Sequence, residues 1–385
     1  MAGTDQIAAH LDRAWDLLGR GDVEGALASA QRAVEMAPDE AEGYFLLGTI
    51  EARAGRTDDA LGHFKDATDL DDGYVDAFLA AAELRMHPLG QTDACLELCD
   101  EVLSFVEDPR DVADATLLKF DAHLAAGERA AAAHALESLP EEEMDDPHVH
   151  HRIGVALYEV ERSEEAARHL ERAVALDPDL ADAHYFLGLC RSELGDAQGC
   201  VAHWLRAREL DERETARRTA LSADEMSVLA RRVLEALPAA LRRRFAAAPL
   251  IVQAHPPAEL VAEGTDPRAA CYFASIAVET AAVETGAVES GATDGGDGAA
   301  GAARAANGAE AEARSGARAE IEGDVEAAPQ LTAIFVYLGN VLRAAGDEGD
   351  VDASLRAAVA HEASHFFGID DDEMQRLGLG GLHHH

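Results

Sequence analysis

A period of 34 residues runs through the first half of this chain and restricts its fold more than any other feature. Gly21 and Gly55 stand 34 apart, and segment 41–74 carries Tyr44, Leu47, Gly48, Ala60, Phe64 and Ala67 at the spacings of a helix-turn-helix unit. Segment 7–40 repeats the frame with Ala26, Ala30, Ala33 and Pro38. It returns at 147–180 with Ile153, Gly154, Ala166, Leu170, Ala173 and Pro178, and at 181–214 with Leu187, Gly188, Cys200, Trp204 and Ala207. Small residues let the two helices of a hairpin approach closely, and bulky ones such as Phe64 and Trp204 fill the space between hairpins. A single unit cannot bury its apolar face, so the units must stack. Between 75 and 146 the period weakens: Gly127 and Ala131 mark one more hairpin, and Pro109 and Pro140 break helices. The expectation is six units, the middle two degenerate.

These units resemble tetratricopeptide repeats, which implies an α-solenoid whose groove binds a protein partner. The rest of the composition narrows that partner. The chain has 385 residues, with 74 Asp and Glu against 32 Lys and Arg, a formal charge of −42. Such a surface repels phosphate backbones and anionic lipid heads, so neither nucleic acid nor membrane is an expected partner. Lys65 and Lys119 are the only lysines, which argues against a groove built to clamp an acidic tail. Five cysteines without a CxxC pair, and an N-terminus without a basic, apolar leader, point to a reducing, cytoplasmic setting. Cys95 and Cys99, four apart on a helix, read as small packing residues.

The character of the chain changes after Arg217. A helix over Ala223–Leu237 ends at Pro238 and is followed by the basic run Arg242, Arg243, Arg244, expected to pair with nearby acids. Leu250, Ile251, Val252 and Gln253 then read as a strand. Residues 284–328 are almost entirely Gly, Ala, Glu, Asp and Thr, too poor in apolar surface to offset ordering entropy, and are expected to be a disordered insertion. Beyond it come a strand over Leu331–Val336, a helix over Leu338–Ala345 and a second helix from Val351 to Phe367. The predicted organisation is a repeat solenoid over 1–216 followed by a small α+β domain in two parts, 217–283 and 329–385.

The last helix carries the chemistry. His361 and His365 are four apart and share a face, with Glu362 beside them, while Leu355, Val359, Ala363 and Phe366 form a separate packing stripe. Two imidazoles at this spacing supply a pair of ligands for Zn²⁺, which in a catalytic site takes three protein ligands and a water. Gly368 suits the left-handed conformation that ends a helix and turns the chain back. Ten positions after His361 stands Asp371, with Asp370, Asp372 and Glu373 crowding the same segment. Glu362 is the expected general base.

The pattern HExxHxxGxxD, with LPAALRRRF, IVQAHPPAEL and PQLTAIFVYLGNVLRAA before it, resembles the minimal matrix-metalloprotease-like zincins, compact relatives of the metzincins. The resemblance covers about 221–380. It implies zinc held by His361, His365 and Asp371, with Glu362 as the catalytic base of a zinc metallopeptidase. Metzincins proper use a third histidine and a downstream Met-turn, and this chain has Asp371 in that third position. Zincins bind substrate as an extended strand along a sheet edge, and Leu331–Val336 is either that edge or a buried strand. Tyr272 and Tyr337 are expected in the core or on the surface rather than as oxyanion donors. A scaffold with a structural or inactive zincin-like domain is the alternative. His148, His150 and His151 read as surface residues, and His383, His384 and His385 as native residues or a tag remnant able to bind metal adventitiously.

Overall fold

The computed structural model describes residues 2–140, 144–218, 221–246, 248–276, 330–346 and 350–377. The segment 284–328, expected to be a disordered insertion, lies outside the described residues. Contacts divide the chain into two compact units, Met1–His203 and Trp204–His385.

Helical hairpins follow one another from the N-terminus. They pair α1 (Ala2–Gly19) with α2 (Val23–Met36), α3 (Ala41–Arg53) with α4 (Thr57–Leu70), and α5 (Val75–Met86) with α6 (Thr92–Phe105). Next come α7 (Pro109–Ala125) with α8 (Arg129–Ala135), α9 (Pro147–Glu159) with α10 (Ser163–Leu176), and α11 (Ala181–Glu193) with α12 (Ala197–Arg218). The degenerate middle units are hairpins too. Pro109 and Pro147 open helices at their first turn, where a missing N–H costs nothing.

Close approach within two of the hairpins depends on glycine. A Cβ on Gly48 would lie 2.6 Å from the Phe64 ring, and one on Gly154 would lie 2.5 Å from Leu170 Cγ. The turns use a left-handed residue, and in five hairpins it is glycine: Gly21, Gly55, Gly90, Gly127 and Gly195. In the α9–α10 hairpin Glu161 takes that place at φ 64°, the conformation that disfavours a side chain.

A second recurrence joins the two helices of a hairpin at residues 19 apart. Ser29 Oγ donates to His10 O at 3.1 Å in the first hairpin, and Tyr44 and His63 bring their ring centroids to 6.5 Å in the second. In the last two, His150 and His169 meet Nδ1 to Nδ1 at 3.1 Å, as do His184 and His203. His150 Nε2 faces Met144 O at 2.8 Å and His184 Nε2 faces Pro178 O at 3.1 Å. The expectation that His148, His150 and His151 are surface residues is therefore corrected for His150. It is buried, because both its ring nitrogens find partners inside the hairpin. Cys95 and Cys99 lie in the core with Ala82, Met86 and Leu118, as packing residues should.

The second unit contains the end of α12, then α13 (Ala223–Ala236), α14 (Ala239–Phe245), β1 (Leu250–Gln253), α15 (Ala258–Ala262) and β2 (Cys271–Ile276). It continues with β3 (Gln330–Tyr337), α16 (Leu338–Ala345), α17 (Val351–Phe367) and α18 (Asp371–Arg376). The sheet order is β1-β3-β2. β1 runs parallel to β3 with Leu250 opposite Ile334 and Gln253 opposite Tyr337. β2 runs antiparallel with Cys271 opposite Val336. The strand over 331–336 is thus central, hydrogen-bonded on both sides, and not the candidate edge. β2, unforeseen in the sequence, takes an outer position.

One sheet face, through Phe273, Ile334 and Val336, packs on Val233, Leu241 and Phe245 and on Leu355, Val359 and Ala363 of α17. Ser222 and Glu225 form a capping box that starts α13. Arg244 sits over the Phe367 ring at 4.8 Å, and Arg242 donates to Glu235 O, so two of the basic run serve the fold. Asp211 on α12 is 2% exposed and accepts from Arg268 Nε at 3.0 Å and Nη2 at 3.3 Å, and from Arg343. That network ties α12, the approach to β2 and α16 together. Among the described residues no helix is long and apolar enough to cross a membrane.

Candidate functional site

α17 begins where the Asp350 carboxylate accepts from the N–H groups of Asp352 and Ala353, at 2.9 and 3.2 Å. It ends at Gly368, which takes the left-handed conformation at φ 61°, ψ 40°. Between these caps Leu355, Val359, Ala360 and Ala363 are buried, which turns His361 and His365 outward. Their rings meet edge to face with centroids 4.6 Å apart at 73°.

Glu362 occupies the boundary between the packed stripe and the exposed histidines. Its Oε1 accepts the backbone N–H of Phe273 on β2 at 3.2 Å, a contact across 89 residues that the motif gave no sign of. Burial raises the carboxyl's pKa, opposed by the Phe273 N–H and by His365. That N–H points away from β3, so the outer edge of β2 faces the motif helix. Cys271 Sγ donates to Ala358 O at 3.2 Å and fixes the same strand against α17. Burial holds the Cys271 thiol well above its ordinary pKa.

Past Gly368, Ile369 and Met374 are buried in the core shared with α17, so the chain does fold back under the motif helix. The Asp370 carboxylate accepts from the Glu373 N–H at 2.7 Å and caps α18. Asp371 is the first residue of α18, and its side chain lies outside the described residues. Among the described residues, no group of three or more His, Cys, Asp or Glu is arranged to hold a metal. Two imidazoles on one exposed face fit two of the ligands a zinc site needs. The third remains a matter of spacing. Tyr337 is fully buried, as expected for a core residue, and burial raises its pKa to about 12; Tyr272 stacks against Phe335 at 6.4 Å.

Comparison with known proteins agrees with this division. No curated protein matches the chain. Similar solved structures include pilF of Pseudomonas aeruginosa, 14% identical with a TM-score of 0.45, covering 55% of this chain and 94% of that one. YrrB, described as a TPR protein with an unusual peptide-binding site, is 16% identical with a TM-score of 0.36, covering 47% of this chain and 91% of that one. MamA is 19% identical with a TM-score of 0.36, covering 44% of this chain and 97% of that one. The tetratricopeptide repeat family matches residues 11–75 and 151–212, and the zincin-like metallopeptidase family matches residues 315–380. The chain therefore carries tetratricopeptide repeats on its N-terminal side and a zincin-like metallopeptidase segment at 315–380.

Proposed function

We propose that this protein is a zinc-dependent metallopeptidase that recruits a protein partner through its repeats. The observation that carries the reading is the outward pair His361 and His365 flanking a carboxylate, Glu362, hydrogen-bonded to the neighbouring strand. His361 and His365 would hold the metal, with Asp371 as the third ligand. Zinc, when bound, supplies a Lewis acid that acidifies a water and polarises a carbonyl. Glu362 takes a proton from the attacking water and hands it to the leaving amine. Its partial burial favours that role, because a carboxylate with raised proton affinity is a better base near neutral pH. The Phe273 N–H keeps the carboxylate oriented. An extended substrate would lie along the outer edge of β2, the strand next to Glu362, rather than along β3.

The test is metal content and peptide cleavage in protein lacking residues 383–385, compared with Glu362→Gln and His361→Ala. The expected result is zinc retained and cleavage lost in Glu362→Gln, with zinc lost in His361→Ala. Cleavage that survives Glu362→Gln would refute the catalytic reading. Protein that cleaves nothing while capturing a partner through residues 1–215 would instead be a scaffold.

A further inference from the structure

A cavity of about 160 Å³ opens in the repeat unit between α7 and α9, the first helices of two successive hairpins. Leu117 and Phe120 from α7 and Val155 and Ala156 from α9 give it apolar walls, and Asp121 and Glu159 bring a carboxylate from each helix. Its volume suits one side chain and not a folded element.

The charges around it are unevenly matched. Arg152 lines the cavity, but its guanidinium donates to Asp114. Arg129 donates to the Glu159 backbone oxygen and reaches Glu161 rather than the Glu159 carboxylate. His151 also lines the cavity, and His87 acts on Asp121 from α5's end. Neither the Asp121 nor the Glu159 carboxylate has a hydrogen-bond or ion-pair partner among the described residues. Both have raised pKa values. For each the main cause is partial burial, although both residues stay exposed on one side; Asp121 adds to the rise at Glu159 and Arg129 opposes it, while Arg152 and His87 oppose the rise at Asp121. Two carboxylates from successive hairpins beside an apolar floor, their charge only partly offset by Arg152, His87 and Arg129, are an arrangement that a long cationic side chain relieves. Its methylenes cover the apolar wall and its charged end meets the acids. A metal ion fits less well, since no group of three ligating side chains occurs here among the described residues.

We propose that this cavity is a socket for the arginine or lysine side chain of an extended peptide, so that the repeats select basic partners. The proposal rests on the reading of the repeats as a protein-binding module and adds the chemistry of what they bind. The overall charge of −42 favours the same class of partner by drawing it in over a distance.

The experiment uses the full chain and a set of 15-residue peptides of matched apolar content that differ in Arg, Lys, neutral and Glu positions. Affinity is measured by fluorescence polarisation at low and moderate salt. The matched protein is Asp121→Asn/Glu159→Gln, which keeps the shape of both side chains. Binders should be enriched in Arg and Lys, and the double variant should bind them at least about tenfold more weakly. Its melting temperature should be equal or higher, because the variant removes a repulsion that Arg152, His87 and Arg129 offset only in part. Binding by neutral or acidic peptides equal to that by basic ones, or affinity unchanged in the variant, would overturn the socket while leaving a peptide-binding module. Failure of every peptide to bind would overturn the socket and the peptide reading together.

Discussion

Acidification should loosen the last repeats through the paired histidines. His150 Nε2 faces the Met144 carbonyl and so carries its hydrogen, which leaves His150 Nδ1 to accept from His169 Nδ1–H. A proton added to His169 would instead place a charge on a partly buried ring packed against His150. His169 therefore favours the neutral state. Burial, with His150 and Arg168 nearby, lowers the His169 pKa from 6.5 to about 4, against a smaller opposing effect of Glu165. His203 is lowered in the same way by burial, His184 and Arg191, opposed by Asp196. The folded-state pKa lies below the unfolded one, so the unfolded chain binds more protons between these values. Stability is then highest above about pH 6.5 and is lost progressively as pH falls toward about 4. For His169 the linkage amounts to about 2 kcal/mol at about pH 5, reduced to about 1–2 kcal/mol by the partial exposure of the ring.

The assay is hydrogen exchange of the full chain at about pH 7.5 and about pH 5, corrected for intrinsic rates and read in α9, α10 and α11. A loss of 1–2 kcal/mol corresponds to protection falling by roughly fivefold to thirtyfold. The variant His169→Gln/His203→Gln should lose that dependence. Protection in α9–α11 that does not change with pH, or a slope that survives in the double variant, would refute the reasoning.

Two further expectations concern single sites. Asp211→Ala removes the buried acceptor shared by Arg268 and Arg343 and should destabilise the second unit by about 1.5–3 kcal/mol, seen as lost exchange protection in α16 and β2. Glu161→Gly relieves the left-handed turn between α9 and α10 and should raise stability by about 0.5–1 kcal/mol in urea unfolding, after the greater chain entropy of glycine is subtracted.

Much of the site could be read in the sequence because its main parts are local. The spacing of His361 and His365, the buried stripe of Leu355, Val359 and Ala363, and the stop at Gly368 all lie within one helix. Their geometry follows from 3.6 residues per turn and from the freedom of glycine at positive φ. The partner of Glu362 was not legible. It is a backbone N–H, which every residue but proline has, on a six-residue strand too short to announce itself beside the motif. The same limit applied to His150 and His169, whose contact requires knowing how two helices lie against each other.

The sequence alone determined the repeats and the motif helix, since a 34-residue period and a four-residue spacing repeat information along the chain until one reading remains. Only the tertiary structure decided that β3 is central and β2 outermost, that Asp121 and Glu159 share a cavity, and that Asp211 binds two arginines. Each of these is a pairing between distant segments. Hydrophobic periodicity fixes which face of an element is buried, but the partner it meets there is selected by the packing of the whole unit.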